Sequence, residues 1–203
     1  MIIGPKYKIA RRLGAPVFEK TQTQKYVLSQ ARKEKSGKSF SRPKSEFGLQ
    51  LLEKQKARFT YCMTEKQFSR SVKEALSKKD KNAVARLYTA LESRADNVAY
   101  RAGFAPTRLA ARQMISHGHM TVNGKRITIP SMKLSMNDIL GIRPGSVSKP
   151  LFASLDERLK TYTAPAWIAF NFDKKEAKIQ GEPKYSAGDS MFDINAILEF
   201  YSR

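Results

Sequence analysis

Lysine and arginine outnumber aspartate and glutamate by 38 to 18 in this 203-residue chain, a formal charge of +20. No compact fold can neutralise that excess internally, and self-repulsion opposes compaction unless a polyanion shares the field. The excess is uneven. Residues 1–60 carry 15 basic and 4 acidic side chains, residues 61–163 carry 18 and 8, and residues 164–203 carry 5 and 6. The first four-fifths of the chain is thus the part that meets the polyanion, and the last fifth reads as scaffold. Hydrophobic residues at 41% and aromatics at 10% suffice for globular cores, and the length suits two domains. RNA or DNA fits such a chain better than a membrane: no apolar run approaches the ~20 residues that span a bilayer, and Met1 to Gly14 has no signal-peptide core. Cys62 stands alone and two histidines make no zinc set. A reducing compartment follows, with no metal and no cofactor expected.

From Gly4 to about Lys44 the chain is basic and broken by Gly4, Pro5, Gly14, Pro16, Gly37 and Pro43. It reads as an extension with at most short helices, either a disordered tail or an arm that orders on RNA. In the second case Arg11, Arg12, Arg32, Lys33 and Lys35 neutralise phosphates and release counterions. A helical pattern starts at Ser45: Phe47, Leu51 and Leu52 open one stripe, and Thr64 and Gln67 have capping-box spacing before Phe68, Val72, Ala75 and Leu76. Asp80 is placed to cap a third helix carrying Ala83, Leu87 and Leu91 inward.

Leu91, Ala95, Val98 and Ala102 extend that stripe, so that Glu92 to Phe104 reads as continuing helix with Arg94 and Arg101 together on another face. Pro106 and Thr107 begin a new helix, where Arg108 and Arg112 lie one turn apart and Ala111 and Ile115 point inward. Gly118 is positioned to end it. Met120, Val122 and Ile127 flank Asn123-Gly124, a dipeptide that tolerates the positive φ of a tight hairpin. The unit reads helix, helix, hairpin. Beyond it, Ile139, Leu140 and Ile142 suggest a short strand, Leu151 to Lys160 a helical turn or two, and Ile168, Phe170 and Phe172 a half-buried strand paired with Lys178 and Ile179. Phe192 to Arg203 reads as a short helix capped by Asp193, with a strand as the alternative.

Enzyme signatures fail on these residues. His117-Gly118-His119 lacks a third ligand, and the spacing around Gly118, Gly124 and Lys125 is not that of a phosphate-cradling loop. Cys62 has no evident base, and the acids show no paired setting. The arginines off the apolar stripes have two readings, as RNA contacts or as solvated and salt-bridged side chains.

Leu91 to Pro130, LESRADNVAYRAGFAPTRLAARQMISHGHMTVNGKRITIP, resembles the RNA-binding domain of the bacterial small-subunit ribosomal protein S-four family. GPKYKIARRLG at Gly4, FGLQLLEKQKARF at Phe47, TEKQF at Thr64, PAWI at Pro165 and the terminal LEFYSR resemble the same family, so the likeness covers nearly the whole chain. It implies an α+β fold. Residues 1–44 form a basic N-terminal arm on ribosomal RNA, and Ser45 to Ala90 form a helical domain completed by residues 186–203. Leu91 to Tyr185 form an α/β domain with a small antiparallel sheet and the helix-helix-hairpin module at about residues 91–154. The resemblance further implies a non-catalytic primary binder of small-subunit ribosomal RNA at a helix junction of the 5′ domain. Such a protein nucleates assembly of the subunit body, lies beside the S-five protein near messenger entry, and bears on decoding accuracy, in the cytoplasm or an organellar stroma.

Carried over by position, the RNA-facing residues are Arg94, Arg101, Thr107, Arg108, Arg112, Gln113, His117, His119, Asn123, Lys125 and Arg126, joined by Arg11 and Arg12 in the arm. Arginine suits this task because its planar fork meets two phosphate oxygens at once. Tyr7 and Ala10 stand where zinc-binding members have cysteines, which marks a zinc-free variant. Ala95 and Ala102 stand where larger aliphatics are common, implying a shallower core there or compensation by neighbours. Two rivals share the module: an RNA-modifying enzyme, which needs a catalytic domain not evident here, and a factor that binds ribosomal subunits transiently.

Overall fold

The computed structural model describes residues 3–35, 44–77, 82–186, 188 and 190–202. Asp80, Gly37 and Pro43 lie outside these residues, as do the side chains of Lys33 and Lys35. The chain divides into two compact units, Met1–Leu87 with Tyr185–Arg203, and Tyr88–Lys184. No helix among the described residues is long and apolar enough to cross a membrane.

The first unit is helical. Helices α1 (Lys6–Leu13) and α2 (Gln24–Lys35) occupy the segment expected to hold at most short helices. Their order has a packing cause: Leu13, Val17 and Phe18 bury themselves against Leu52 and Phe59, and Tyr26 packs on Tyr7 with ring centroids 5.2 Å apart. Gly14, in the left-handed region at φ 66°, ends α1 as a residue without Cβ does at low strain. Helix α3 (Glu46–Thr60) begins where the Ser45 hydroxyl accepts the Gly48 N–H at 3.2 Å. Before α4 (Glu65–Ser77) the Gln67 N–H donates to the Thr64 hydroxyl at 3.4 Å, and the Thr64 N–H to the Gln67 amide oxygen at 3.5 Å. That is the reciprocal capping read from the sequence.

The C-terminal α9 (Ile194–Ser202) packs on α3 and α4. Asp193 accepts the Asn195 N–H at 2.8 Å, which settles the choice between helix and strand. A polar knot lies among the three helices. Lys54, 7% exposed, donates to Glu65 at 2.8 Å and sits 4.7 Å from the Phe200 ring centroid, while the Tyr201 hydroxyl donates to the same Glu65 oxygen at 2.8 Å. Desolvation and the Glu65 bond push the Tyr201 phenol above its ordinary range.

The second unit contains the end of α5 (Ala83–Glu92), α6 (Ala95–Arg101), α7 (Arg108–Ser116) and α8 (Leu155–Thr161). Its five-stranded sheet runs β2-β1-β3-β5-β4 and is antiparallel throughout. The strands are β1 (Met120–Val122), β2 (Lys125–Ile127), β3 (Ile139–Ile142), β4 (Ile168–Asn171) and β5 (Glu176–Ile179). The α+β class expected from the sequence is the class observed. Asn123 and Gly124, at φ 51° and 77°, make the β1–β2 turn with both positions in the left-handed region, the geometry that keeps strand twist through a two-residue loop. One core joins Val98, Phe104, Ile115, Met120, Leu140 and Leu155. Ala95 and Ala102 are buried in it, and Tyr162 and Leu159 sit close against Gly103.

Two expectations are corrected. The helix drawn from Glu92 to Phe104 is interrupted at Ser93 and Arg94: Arg94 is extended (φ −65°, ψ 137°), and α6 starts afresh after it. The backbone there bonds elsewhere. Ala95 N–H donates to Met132 O at 2.8 Å, Asp96 N–H to Pro130 O at 3.1 Å, and Leu134 N–H to Ser93 O at 2.8 Å. Phe172, expected in the buried face of a strand, lies past the end of β4 in a turn, 59% exposed, with its ring edge on Phe170.

A pH test follows from the knot on α3 and α4. Burial raises the Glu65 carboxyl, but the Lys54 and Tyr201 hydrogen bonds and the Lys54 and Arg58 charges outweigh it, and its pKa falls below the ordinary 4.5. A lowered folded-state value means stability present above that pH and lost as pH falls through the lowered value. Glu65→Gln should therefore be less stable than the native chain at pH 7, with the gap closing by pH 3, as read from urea unfolding midpoints.

Candidate nucleic-acid interface

Around α6 and α7 three arginines converge on two carboxylates, and a fourth reaches one of them through an amide. Asp96, 4% exposed, receives the Nε and Nη2 of Arg94 at 3.0 and 2.8 Å, and the Nε and Nη2 of Arg112 at 3.1 and 2.8 Å. Glu92, 1% exposed, receives the Nε and Nη2 of Arg101 at 3.0 and 2.9 Å and the Asn97 amide at 2.7 Å. The other end of that amide accepts Arg108 Nε at 2.7 Å, and the Arg108 guanidinium lies 4.4 Å from the Tyr100 ring centroid, a favourable cation–π arrangement. Four cations against two anions leave the cluster positive. The salt-bridged reading of these arginines, open at the level of sequence, is thus the one the geometry displays, and the partners it uses are acids that the sequence reading left without a role.

Depth separates the three that hold carboxylates. The Arg94 side chain is 7% exposed and faces inward, whereas Arg112 is 19% and Arg101 33% exposed above carboxylates that are 5% and 1% exposed. Thr107 caps α7, its hydroxyl accepting the Ala110 N–H at 3.0 Å. Gln113 is exposed along the same helix. Asn123 is committed to the fold: its amide donates to Asp138 at 2.8 Å and its carbonyl oxygen accepts the Ile139 N–H at 2.9 Å.

The hairpin carries Lys125 and Arg126, both exposed, on β2. Arg126 lies directly over Gly118, which is at φ +71° and buried; a Cβ there would collide with the guanidinium. His117 is exposed, and His119 pairs with the Ser146 hydroxyl at 3.1 Å and meets Phe152 edge-on. Burial first, then the charges of Lys149, His117, Arg143 and Arg126, hold the His119 imidazole below its ordinary 6.5. The four charges named add a local positive field to the larger effect of burial. Arg143 and Lys149, both exposed, contribute to it and were missed, because nothing in the residues around Pro144 and Pro150 ties that loop to the hairpin until β3 pairs with β1. Arg11 and Arg12 are on α1 in the first unit, Arg11 donating to the Tyr7 carbonyl at 3.2 Å and Arg12 exposed.

Among the described residues no three His, Cys, Asp or Glu side chains gather as a metal site would require. A groove of about 290 Å³ between Leu134, Met136, Trp167 and Pro183 has Glu182 and Lys133 on its rim and no histidine or cysteine.

Residues 1–92 match the family model for the ribosomal protein S4/S9 N-terminal domain, and residues 93–140 match the S4 domain. The chain is 37% identical to small ribosomal subunit protein uS4 of Polaromonas naphthalenivorans, over 99% of this chain and 98% of that one. It is 38% identical to the uS4 protein of Roseiflexus castenholzii, with the same coverage. The chain belongs to the uS4 family. Small ribosomal subunit protein uS4c of Trieres chinensis is 37% identical over 98% of this chain and 97% of its own. The family suggested by the module and its flanking motifs is therefore the one shown, and its members are ribosomal proteins rather than enzymes. In this uS4-family chain the S4 domain begins at Ser93, where the helix breaks.

Because folding lowers the His119 pKa, the unfolded chain binds that proton more readily, and the fold loses stability as pH drops below about 6.5. A phosphate placed beside these cations would offset their part of the shift and raise the midpoint. Imidazole NMR of the free chain should show a His119 midpoint below 6.5 that moves upward when RNA is added at constant salt; a midpoint that ignores RNA would remove the hairpin from the interface.

Proposed function

We propose that this protein is a structural constituent of the small ribosomal subunit that binds small-subunit ribosomal RNA at a helix junction of the 5′ domain. There it nucleates assembly of the subunit body and, beside the S-five protein near messenger entry, contributes to translational accuracy. Membership of the uS4 family supports the structural, small-subunit role. The observation that carries RNA binding is the basic character of the second unit, with Arg101, Arg108 and Arg112 clustered on the helices and Lys125, Arg126, Arg143 and Lys149 around the hairpin.

The mechanism is electrostatic capture followed by docking on shape. Phosphates dominate the affinity of such surfaces through counterion release. A-form RNA hides its major groove, so its backbone geometry and 2′-hydroxyls become the features a rigid protein face can read. Arg94, turned inward, serves this face by holding Asp96, and Thr107 and Asn123 serve it by fixing α7 and the hairpin. Gln113, His117 and His119 line its edge. Arg11 and Arg12 of α1 add phosphate contacts from the N-terminal arm. The particle stands in the cytoplasm or an organellar stroma.

Two measurements test this. High-salt gradient purification of ribosomes should retain one copy of the chain per small subunit; a sub-stoichiometric or salt-released chain favours a transient factor. The double variant Lys125→Ala with Arg143→Ala should keep its thermal midpoint while the slope of log affinity against log salt for small-subunit RNA falls by roughly one for each phosphate no longer neutralised.

A further inference from the structure

The strongest buried acids of the second unit lie directly beneath the arginines of its basic face. Asp96 takes four N–H bonds from two guanidinium groups, and Glu92 takes two from a third while gripping, through Asn97, a fourth. In a chain with +20 net charge, two acids spent here weaken the attraction for a polyanion. They also bear the desolvation cost of buried ions, which well-packed apolar side chains avoid. Stability alone is a poor account of them.

Orientation is a better one. Each of these carboxylates is more deeply buried than the guanidinium above it, 5% against 19% for Asp96 and Arg112, and 1% against 33% for Glu92 and Arg101. Both arginines grip their carboxylate through the Nε–Nη2 edge. A guanidinium is a rigid plane, so fixing one edge fixes the direction of the whole fork. A long side chain otherwise gives up rotamer freedom when it is immobilised on a ligand, and a fork already held loses less.

We propose that Asp96 and Glu92 are positioning residues for RNA recognition, anionic anchors that preset Arg112 and Arg101 for the phosphate backbone at the expense of net charge. The inference rests on the RNA-binding reading given above. It extends that reading by making two negative residues favourable to binding a polyanion.

The sign of one substitution decides it. Asp96→Asn keeps the shape and removes one negative charge, so simple electrostatics makes RNA binding tighter, whereas positioning makes it weaker. With the full-length chain and transcribed small-subunit ribosomal RNA in filter binding at fixed salt, Asp96→Asn should bind about 5- to 50-fold more weakly, in line with the cost of loosening the charge-assisted hydrogen bonds from Arg112 to the Asp96 Oδ2. Asp96→Glu, which retains the anion, should recover part of the loss. Glu92→Gln should behave as Asp96→Asn does, and circular dichroism with thermal melting reports whether each variant is folded at the assay temperature. Unchanged or tighter binding by folded Asp96→Asn overturns the inference. If the Asp96→Asn protein is unfolded, the folded Glu92→Gln protein decides by the same sign. Weaker binding by Lys125→Ala with Arg143→Ala alongside unchanged Asp96→Asn would sink the positioning role alone, and undiminished binding by both would sink the RNA-binding reading with it.

Discussion

Three backbone hydrogen bonds between residues 93–96 and the 130–134 loop set the architecture of the second unit. Helix α6 has only seven residues, too short to persist by its own propagation, and its first amide donors have no intrahelical partner. The carbonyls of Met132 and Pro130 take two of them. This clasp ties the segment after the hairpin to the point where the chain leaves α5, and a bridge between Arg94 and Lys133 extends it. Because Arg94 is held extended, its side chain and that of Asp96 two residues on can close on each other within the buried layer. A continuous helix would have put them about 200° apart around the axis, by the 3.6-residue period.

Once Asp96 is fixed, the rest of the face follows. Arg112 comes from α7 to the same carboxylate, which joins the two helices by charge as well as by the apolar contacts of Val98, Ala111 and Ile115. Tyr162 adds a second tie, its hydroxyl donating to the Arg101 carbonyl at 3.1 Å where α6 ends, with Gly103 allowing the ring to sit close. The far end of α7 stops at Gly118, and the absence of a side chain there is what lets Arg126 of β2 fold back over the helix terminus. Helix termini and hairpin are thus fastened by polar and charged side chains.

Much of this was legible in the residues. The Asn123-Gly124 turn, the Thr64 and Gln67 box, the helices on either side of Pro106 and the strand at Ile139 rest on local chemistry that needs no knowledge of distant chain. What escaped depends on partners remote in sequence. The break at Ser93 is invisible to periodicity, since Leu91, Ala95, Val98 and Ala102 keep a helical stripe across it; the interruption is stabilised by carbonyls some 35 residues on. The seating of α1 and the turn after it depends on Leu52 and Phe59 of α3, and that of α2 on Tyr7. Arg143 and Lys149 join the hairpin's field only through sheet pairing. The acids beneath the arginines carry no pattern of their own, because Asp96 has the position of an ordinary first-turn residue.

The depth of Arg94 bears on why Asp96 takes two arginines when only Arg112 reaches outward. A carboxylate buried beside one guanidinium keeps lone pairs that must be satisfied, and an anion in a low-dielectric layer is costly unless they are. Arg94 completes that requirement from below, so that Asp96 can hold Arg112 from above without an unpaired oxygen. On the Glu92 side the same task falls to the Asn97 amide, a neutral donor. The two anchors therefore differ in charge: Asp96 with its two arginines is a net cation, and Glu92 with Arg101 is neutral, with Arg108 standing beyond it on Tyr100. Lysine in place of Arg101 or Arg112 would supply the charge and lose the fork, and with it the fixed edge by which a buried acid sets the direction of a more exposed cation.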